Sequence, residues 1–132
     1  IRLNQSKLFI RYVLIGCSGV GVNLGMYLIL TRLLLMPIDT AFLVAIEISV
    51  VTNFIGHHWW TFRRVHLESK PIIRRFWEYH VSVLLSLAVN AAVFFILVKW
   101  AMLWDVAANV IGIGAGFLVN YRMNSRVSWK QR

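Results

Sequence analysis

The sequence predicts an all-α integral membrane protein with four transmembrane helices, arranged as two parallel-topology two-helix repeats. Three observations predict it. Of 132 residues, 59% are hydrophobic, including six Trp and eight Phe, more apolar surface than a water-soluble domain of this length could hide. Four apolar runs approach the roughly 20 residues that cross about 30 Å of hydrocarbon. The two halves repeat at a fixed offset of 67 residues with no gap.

The first span is placed at Tyr12–Leu35. It is too long for a signal-peptide core and lacks a cleavage site, so it is expected to stay in the mature protein. The second span, Thr40–Gly56, and the fourth, Val106–Tyr121, are short. Each runs on into rings suited to the interface: Trp59, Trp60 and Phe62 after the second, Trp129 after the fourth. The third span is Val81–Met102. Pro37 and Trp104 mark tight turns within the two halves, and residues 63–75 form the substantial loop between them.

The repeat pairs Phe9 with Phe76, Tyr12 with Tyr79, Asn23 with Asn90, Ala41 with Ala108 and Asn53 with Asn120. Conservative pairs are Phe54 with Tyr121, Phe62 with Trp129 and Arg63 with Lys130. Each half crosses the membrane twice, so both start on the same side and an axis along the membrane normal is expected.

Fourteen Lys and Arg stand against five Asp and Glu, a net charge of +9. The basic residues fall in short clusters between apolar runs, which reads as loops at a bilayer surface and not as a nucleic-acid footprint. Arg2, Lys7, Arg11, Arg63, Arg64, Lys70, Arg74, Arg75, Arg122, Arg126, Lys130 and Arg132 fall on one side, Arg32 and Lys99 on the other. Twelve against two predicts a cytoplasmic location for both termini and the central loop of a multi-pass cell-membrane protein. The single cysteine, Cys17, excludes an intrachain disulfide.

Small residues spaced four apart, Cys17, Gly21 and Gly25, Ala88 and Ala92, and Gly112 and Gly116, are expected to serve helix packing. Asn23 and Asn90 are expected deep in the bilayer, where a mutual hydrogen bond would satisfy both amides, with Asn109 nearer the outer surface. Glu47 is the carboxylate inside a span, roughly 10 Å from its outer edge. It lies opposite the face formed by Ala45, Ser49, Thr52, Asn53 and Gly56, and an acid there is a candidate functional residue facing a second subunit, a cavity or a lipid headgroup. A homo-oligomer is expected. His57 and His58 are adjacent and splay about 100° apart on an α-helix, a poor geometry for a metal. No catalytic triad, phosphate loop or carboxylate pair is present, so neither catalysis, a metal nor another cofactor is expected.

The segment from Glu47 through Ser49, Asn53, Phe54, His57, Trp60 and Phe62 to Arg63 is echoed by Asn120, Tyr121, Arg122, Asn124, Arg126, Trp129 and Lys130. With Phe9, Arg11, Tyr12, Gly16, Gly19 and Asn23, these motifs resemble the GtrA-like family of four-helix membrane proteins. The resemblance covers the whole chain, read as one domain over residues 1–132 with repeats at 1–65 and 68–132. It implies a role in cell-surface polysaccharide or glycolipid synthesis, as a translocase or carrier of polyprenyl-phosphate-linked sugars. Similar domains are fused to glycosyltransferases resembling dolichol-phosphate mannose synthase, so the alternative is a non-catalytic anchor for a family-2-like glycosyltransferase. A small proton-coupled exporter ranks third, because such exporters centre their acid in the first helix. A polyprenyl phosphate needs lipid-facing grooves beside interfacial cations, a need that Arg63, Arg64, Arg122, Arg126 and Lys130 meet.

Overall fold

The computed structural model describes residues 4–63 and 69–130. They form four α-helices, α1 (Gln5–Leu28), α2 (Ile38–Gly56), α3 (Ile72–Lys99) and α4 (Asp105–Met123), and no strand occurs among the described residues. The chain divides into two compact units, Ile1–His66 and Leu67–Arg132. In the first α1 packs on α2, in the second α3 packs on α4.

Each helix start has a local cause. Asn4 caps α1 by accepting the Ser6 N–H at 3.2 Å. Pro37 and Pro71, with φ of −54° and −59°, fix an extended residue ahead of α2 and α3. Asp39 and Asp105 put negative charge in the first turn of α2 and α4, where it complements the helix dipole.

The helices begin earlier than the apolar runs indicate. α1 starts at Gln5, not Tyr12, and α3 at Ile72, not Val81. An apolar count detects only the part of a helix bathed in hydrocarbon, whereas the backbone bonds continue through the polar interface. Among the described residues three helices, two of them with π-helical extensions, are long and apolar enough to cross a membrane: Gln5–Leu33, Ile38–Thr61 and Ile72–Lys99. α4 has 19 residues and is not among these three, its apolar run interrupted by Asn109, Asn120, Arg122 and three glycines.

α2 passes into a π-helical turn at His57–Thr61 and α4 into one at Asn124–Ser128. Both pairs of boundaries differ by 67 residues, as do two left-handed residues in the tight turns, Leu35 (φ 51°) and Met102 (φ 53°). These residues let Met36 N–H reach Leu30 O and Leu103 N–H reach Leu97 O, each at 2.9 Å, closing the helix ends in a Schellman-like bond. α1 has a further π turn at Ile29–Leu33, whereas α3 stays α-helical to Lys99.

The buried stripe of α2 is Ala41, Ala45 and Ser49, and that of α4 is Ala108, Gly112 and Gly116. Ala41 and Ala45 pack with Leu30 at the centre of the first unit's apolar cluster. One residue departs from the expected face of α2: Thr52 is exposed, whereas Phe54 near the helix end is buried. α1 approaches α2 closely at Gly19, where an added Cβ would overlap the Asn53 amide and where Ser49 Oγ donates to the carbonyl at 2.8 Å. In the second unit the sizes are exchanged: Gly116 faces Ser86, whose carbonyl oxygen would lie 2.6 Å from an added Cβ. The expected stripe of Cys17, Gly21 and Gly25 is not this contact. Cys17 and Gly21 are exposed, and a Cβ on Gly21 or Gly25 would meet nothing within 4 Å. Ala88 and Ala92 are likewise exposed.

Candidate functional site

At the π end of the first unit, Tyr12 stacks on His57 at 4.0 Å and 11°, and Phe62 meets Tyr12 edge-on at 6.4 Å. His57 Nδ1 shares a hydrogen bond with Thr61 Oγ1 at 3.1 Å. Tyr12, His57, Thr61 and Phe62 are all buried. Neither histidine lies on a regular α-helix: His57 is a core ring in a π turn, and His58 in the same turn stacks on Phe54 at 5.9 Å.

The second unit keeps two rings, Tyr79 and Trp129 with centroids 5.8 Å apart, and puts Asn124 and Ser128 in place of His57 and Thr61. Asn124 Oδ1 accepts from Ser128 Oγ at 3.0 Å and lies 2.9 Å from Ser82 Oγ, while Asn124 Nδ2 donates to Asn120 Oδ1 at 2.9 Å. Ser82 Oγ also lies 2.8 Å from both Asn120 Oδ1 and Tyr79 O, and its single proton serves one acceptor at a time. The Asn120 side chain joins this network, and Asn53 lies against Gly19. Carbonyls in the two π turns are met by side chains from the preceding helix or the residues just before it.

Those side chains are cationic. Arg11 donates to Trp60 O at 3.3 Å, with its guanidinium carbon 5.4 Å from the Trp60 ring centroid. Arg75, only 8% exposed, donates to Ser128 O at 3.1 Å. Lys70 donates to Val127 O at 2.5 Å and pairs with Glu78 at 2.8 Å, and Arg74 also binds Glu78 at 3.0 Å. Cations at helix C-termini both satisfy carbonyls and oppose the dipole. Sequence reasoning missed this division of labour. The signal was the replacement of Leu8 by Arg75 at equivalent repeat positions.

Arg63, Arg122, Arg126 and Lys130 are all exposed beside these capped ends, and Arg64 lies outside the described residues. Of the amide and aromatic motif, Phe62, Trp129 and Asn124 are fully buried and Phe54 nearly so, whereas Trp60 is 40% exposed. Tyr121 is half-buried. Glu47 is exposed within its own unit, on the side of α2 away from Ala45 and Ser49.

At the opposite end of each unit lies a cleft. In the second unit it has a volume of about 430 Å³ and includes Asn90, Ala91, Phe94, Phe95, Asp105 and Asn109. In the first it has about 360 Å³ and is formed by Val20, Asn23, Leu24, Tyr27 and Phe42. Asn23 and Asn90, expected to be deep, are half-buried and line the clefts of their own units.

Fold and site define an all-helical membrane domain made of two similar hairpins, each with a basic, cation-capped end. The chain belongs to the GtrA/DPMS transmembrane domain family, which it matches over residues 11–132. The resemblance carried by the amide and aromatic motifs therefore holds. The chain is also similar to a dolichol-phosphate mannosyltransferase of Pyrococcus furiosus, 32% identical over 120 residues. The match covers 91% of this chain and 33% of that relative, so the chain spans about a third of the relative's length.

Proposed function

We propose that this domain carries polyprenyl-phosphate-linked sugars in the membrane, beside a family-2-like glycosyltransferase, in cell-surface polysaccharide or glycolipid synthesis. One observation carries the reading. Arg11, Lys70 and Arg75 are engaged in helix capping, whereas Arg63, Arg122, Arg126 and Lys130 are exposed where the helices end. An exposed cation at the end of an apolar span suits a lipid whose tail lies in hydrocarbon and whose phosphate lies at the surface. In this reading the basic ends and both termini are cytoplasmic, as the charge asymmetry favours. The chain contributes binding and positioning and no catalytic group.

A second reading, a membrane anchor for a glycosyltransferase, is favoured by the relative named dolichol-phosphate mannosyltransferase, of which a domain like this forms only a part. Native mass spectrometry with polyprenyl phosphate, polyprenol and an ordinary anionic phospholipid tests phosphate-lipid recognition. Arg63→Gln with Arg126→Gln should weaken polyprenyl phosphate by about fivefold per charge, since a basic residue near the surface contributes about 1 kcal/mol. Polyprenol binding should hardly change. Equal affinity for both anionic lipids would reduce the basic ends to generic anchors and leave the second reading. Transport in vesicles then separates carrier from anchor, and Glu47→Gln should preserve folding while altering transport or assembly.

A further inference from the structure

The clefts at the turn ends of the two units occupy equivalent positions but differ in chemistry. Asn23 corresponds to Asn90, and Tyr27 to Phe94, so an amide and a ring are common to both. Phe42 in the first unit is replaced by Asn109 in the second, and Leu24 by Ala91. The first cleft is therefore crowded by apolar side chains, whereas the second is widened by an alanine and offers two amides with the Asp105 carboxylate. Depth in the membrane does not by itself demand an amide at position 109, since its counterpart at the same turn of the helix is phenylalanine.

Two amides and a carboxylate supply both donors and acceptors, a match for neighbouring hydroxyls that each donate and accept. Phe94 and Phe95 add apolar ring surface for the C–H face of a sugar. The volume lies within the roughly 300–1,000 Å³ of small-molecule sites. Lys99, one helical turn beyond Phe95, holds its Nζ 5.6 Å from that ring's centroid and supplies a cation for a phosphate attached to that sugar.

We propose that the cleft between the end of α3 and the start of α4 is a sugar-binding subsite, which takes the glycosyl group of a polyprenyl-phosphate-linked sugar. The inference rests on the carrier reading and extends it. From Asp105 to Asn124 the helix rises about 28 Å, close to the hydrocarbon thickness. A lipid whose sugar fills this cleft cannot place its phosphate at the basic end of the same unit. The two ends therefore receive the same lipid in opposite leaflets, and the cleft is the site met after the headgroup has crossed.

The test is binding of a polyprenyl-phosphate hexose and of bare polyprenyl phosphate to the whole chain in lipid nanodiscs, read by native mass spectrometry. Wild-type protein should bind the sugar-bearing lipid at least tenfold more tightly. Asn109→Phe, which installs the residue of the first cleft, and the isosteric Asp105→Asn should each reduce that ratio by fivefold or more without changing affinity for the bare lipid. Phe42→Asn should leave the ratio no lower than in wild type. A wild-type ratio near one, or a ratio unchanged in both second-cleft variants with native helical content, overturns the subsite while the phosphate-lipid reading stands. If neither lipid outcompetes an anionic phospholipid, the carrier reading and the subsite fall together.

Discussion

The π ends of the two units solve one packing problem with different chemistry. In the first, Tyr12 and His57 stack their rings, and His57 shares a side-chain hydrogen bond with Thr61. In the second, Asn124 stands in place of His57 and Ser82 in place of Ile15, and the contact becomes a web of Ser82, Asn120, Asn124 and Ser128. The backbone is nevertheless the same, with a π turn of five residues at matching positions. The π turn therefore does not depend on one side-chain chemistry. What both ends share is a buried Tyr from the preceding helix, a buried ring after the turn and a cation on the last carbonyls.

Substitutions that separate the two solutions sharpen this comparison. The largest effect is expected for Asn124→Leu, which strips Ser82, Ser128 and Asn120 of a buried partner and should cost on the order of 3 kcal/mol. His57→Leu should cost about 1 kcal/mol beyond its lost packing, since Thr61 loses the hydrogen bond at 3.1 Å. Reversible unfolding in micelles measures both, and equal losses would mean that the web adds nothing over the stack. Next is Gly116→Ser, which puts the residue of the first unit against Ser86 and should cost about 2 kcal/mol by overpacking. The double change Ser86→Gly with Gly116→Ser recreates the Gly19–Ser49 pair and should recover most of that loss, a coupling read from a double-mutant cycle. Arg75→Leu imports Leu8 and uncaps Ser128 O, with a cost of about 1.5 kcal/mol expected in the same unfolding assay. The smallest effects belong to Leu35→Gly and Met102→Gly. Each relieves a left-handed residue and should stabilise by up to about 1 kcal/mol, with similar values at the two sites if the turns are equivalent.

The four helices, the repeat and the family were legible because they rest on composition and on coincidences of residue type at a fixed offset. The exposed positions of Arg63, Arg122 and Arg126 were legible for the same reason, since charge beside an apolar run has few places to go. The capping roles of Arg11, Lys70 and Arg75 were not, because a charge count assigns every basic residue to the surface alike. Arg75 meets the carbonyl of Ser128 at the end of a π turn, and no residue type announces that turn. Gly19 was overshadowed by the regular spacing of Cys17, Gly21 and Gly25. A spacing identifies a face, and the neighbour it meets depends on how the helices cross. The contrast between the clefts was written in the pairs Phe42 with Asn109 and Leu24 with Ala91, yet it acquires meaning only when those positions are known to line a cavity.

The exchange of glycine and serine across the two helix contacts bears on how such a domain can be taken apart and recombined. A hybrid hairpin of α1 with α4 would oppose Gly19 to Gly116 and leave a gap, while one of α3 with α2 would oppose Ser86 to Ser49 and force the helices apart. Each helix is fitted to its own neighbour. The smallest interchangeable part is the hairpin, so recombination within the tight turns should fail where recombination in the segment joining the two units succeeds.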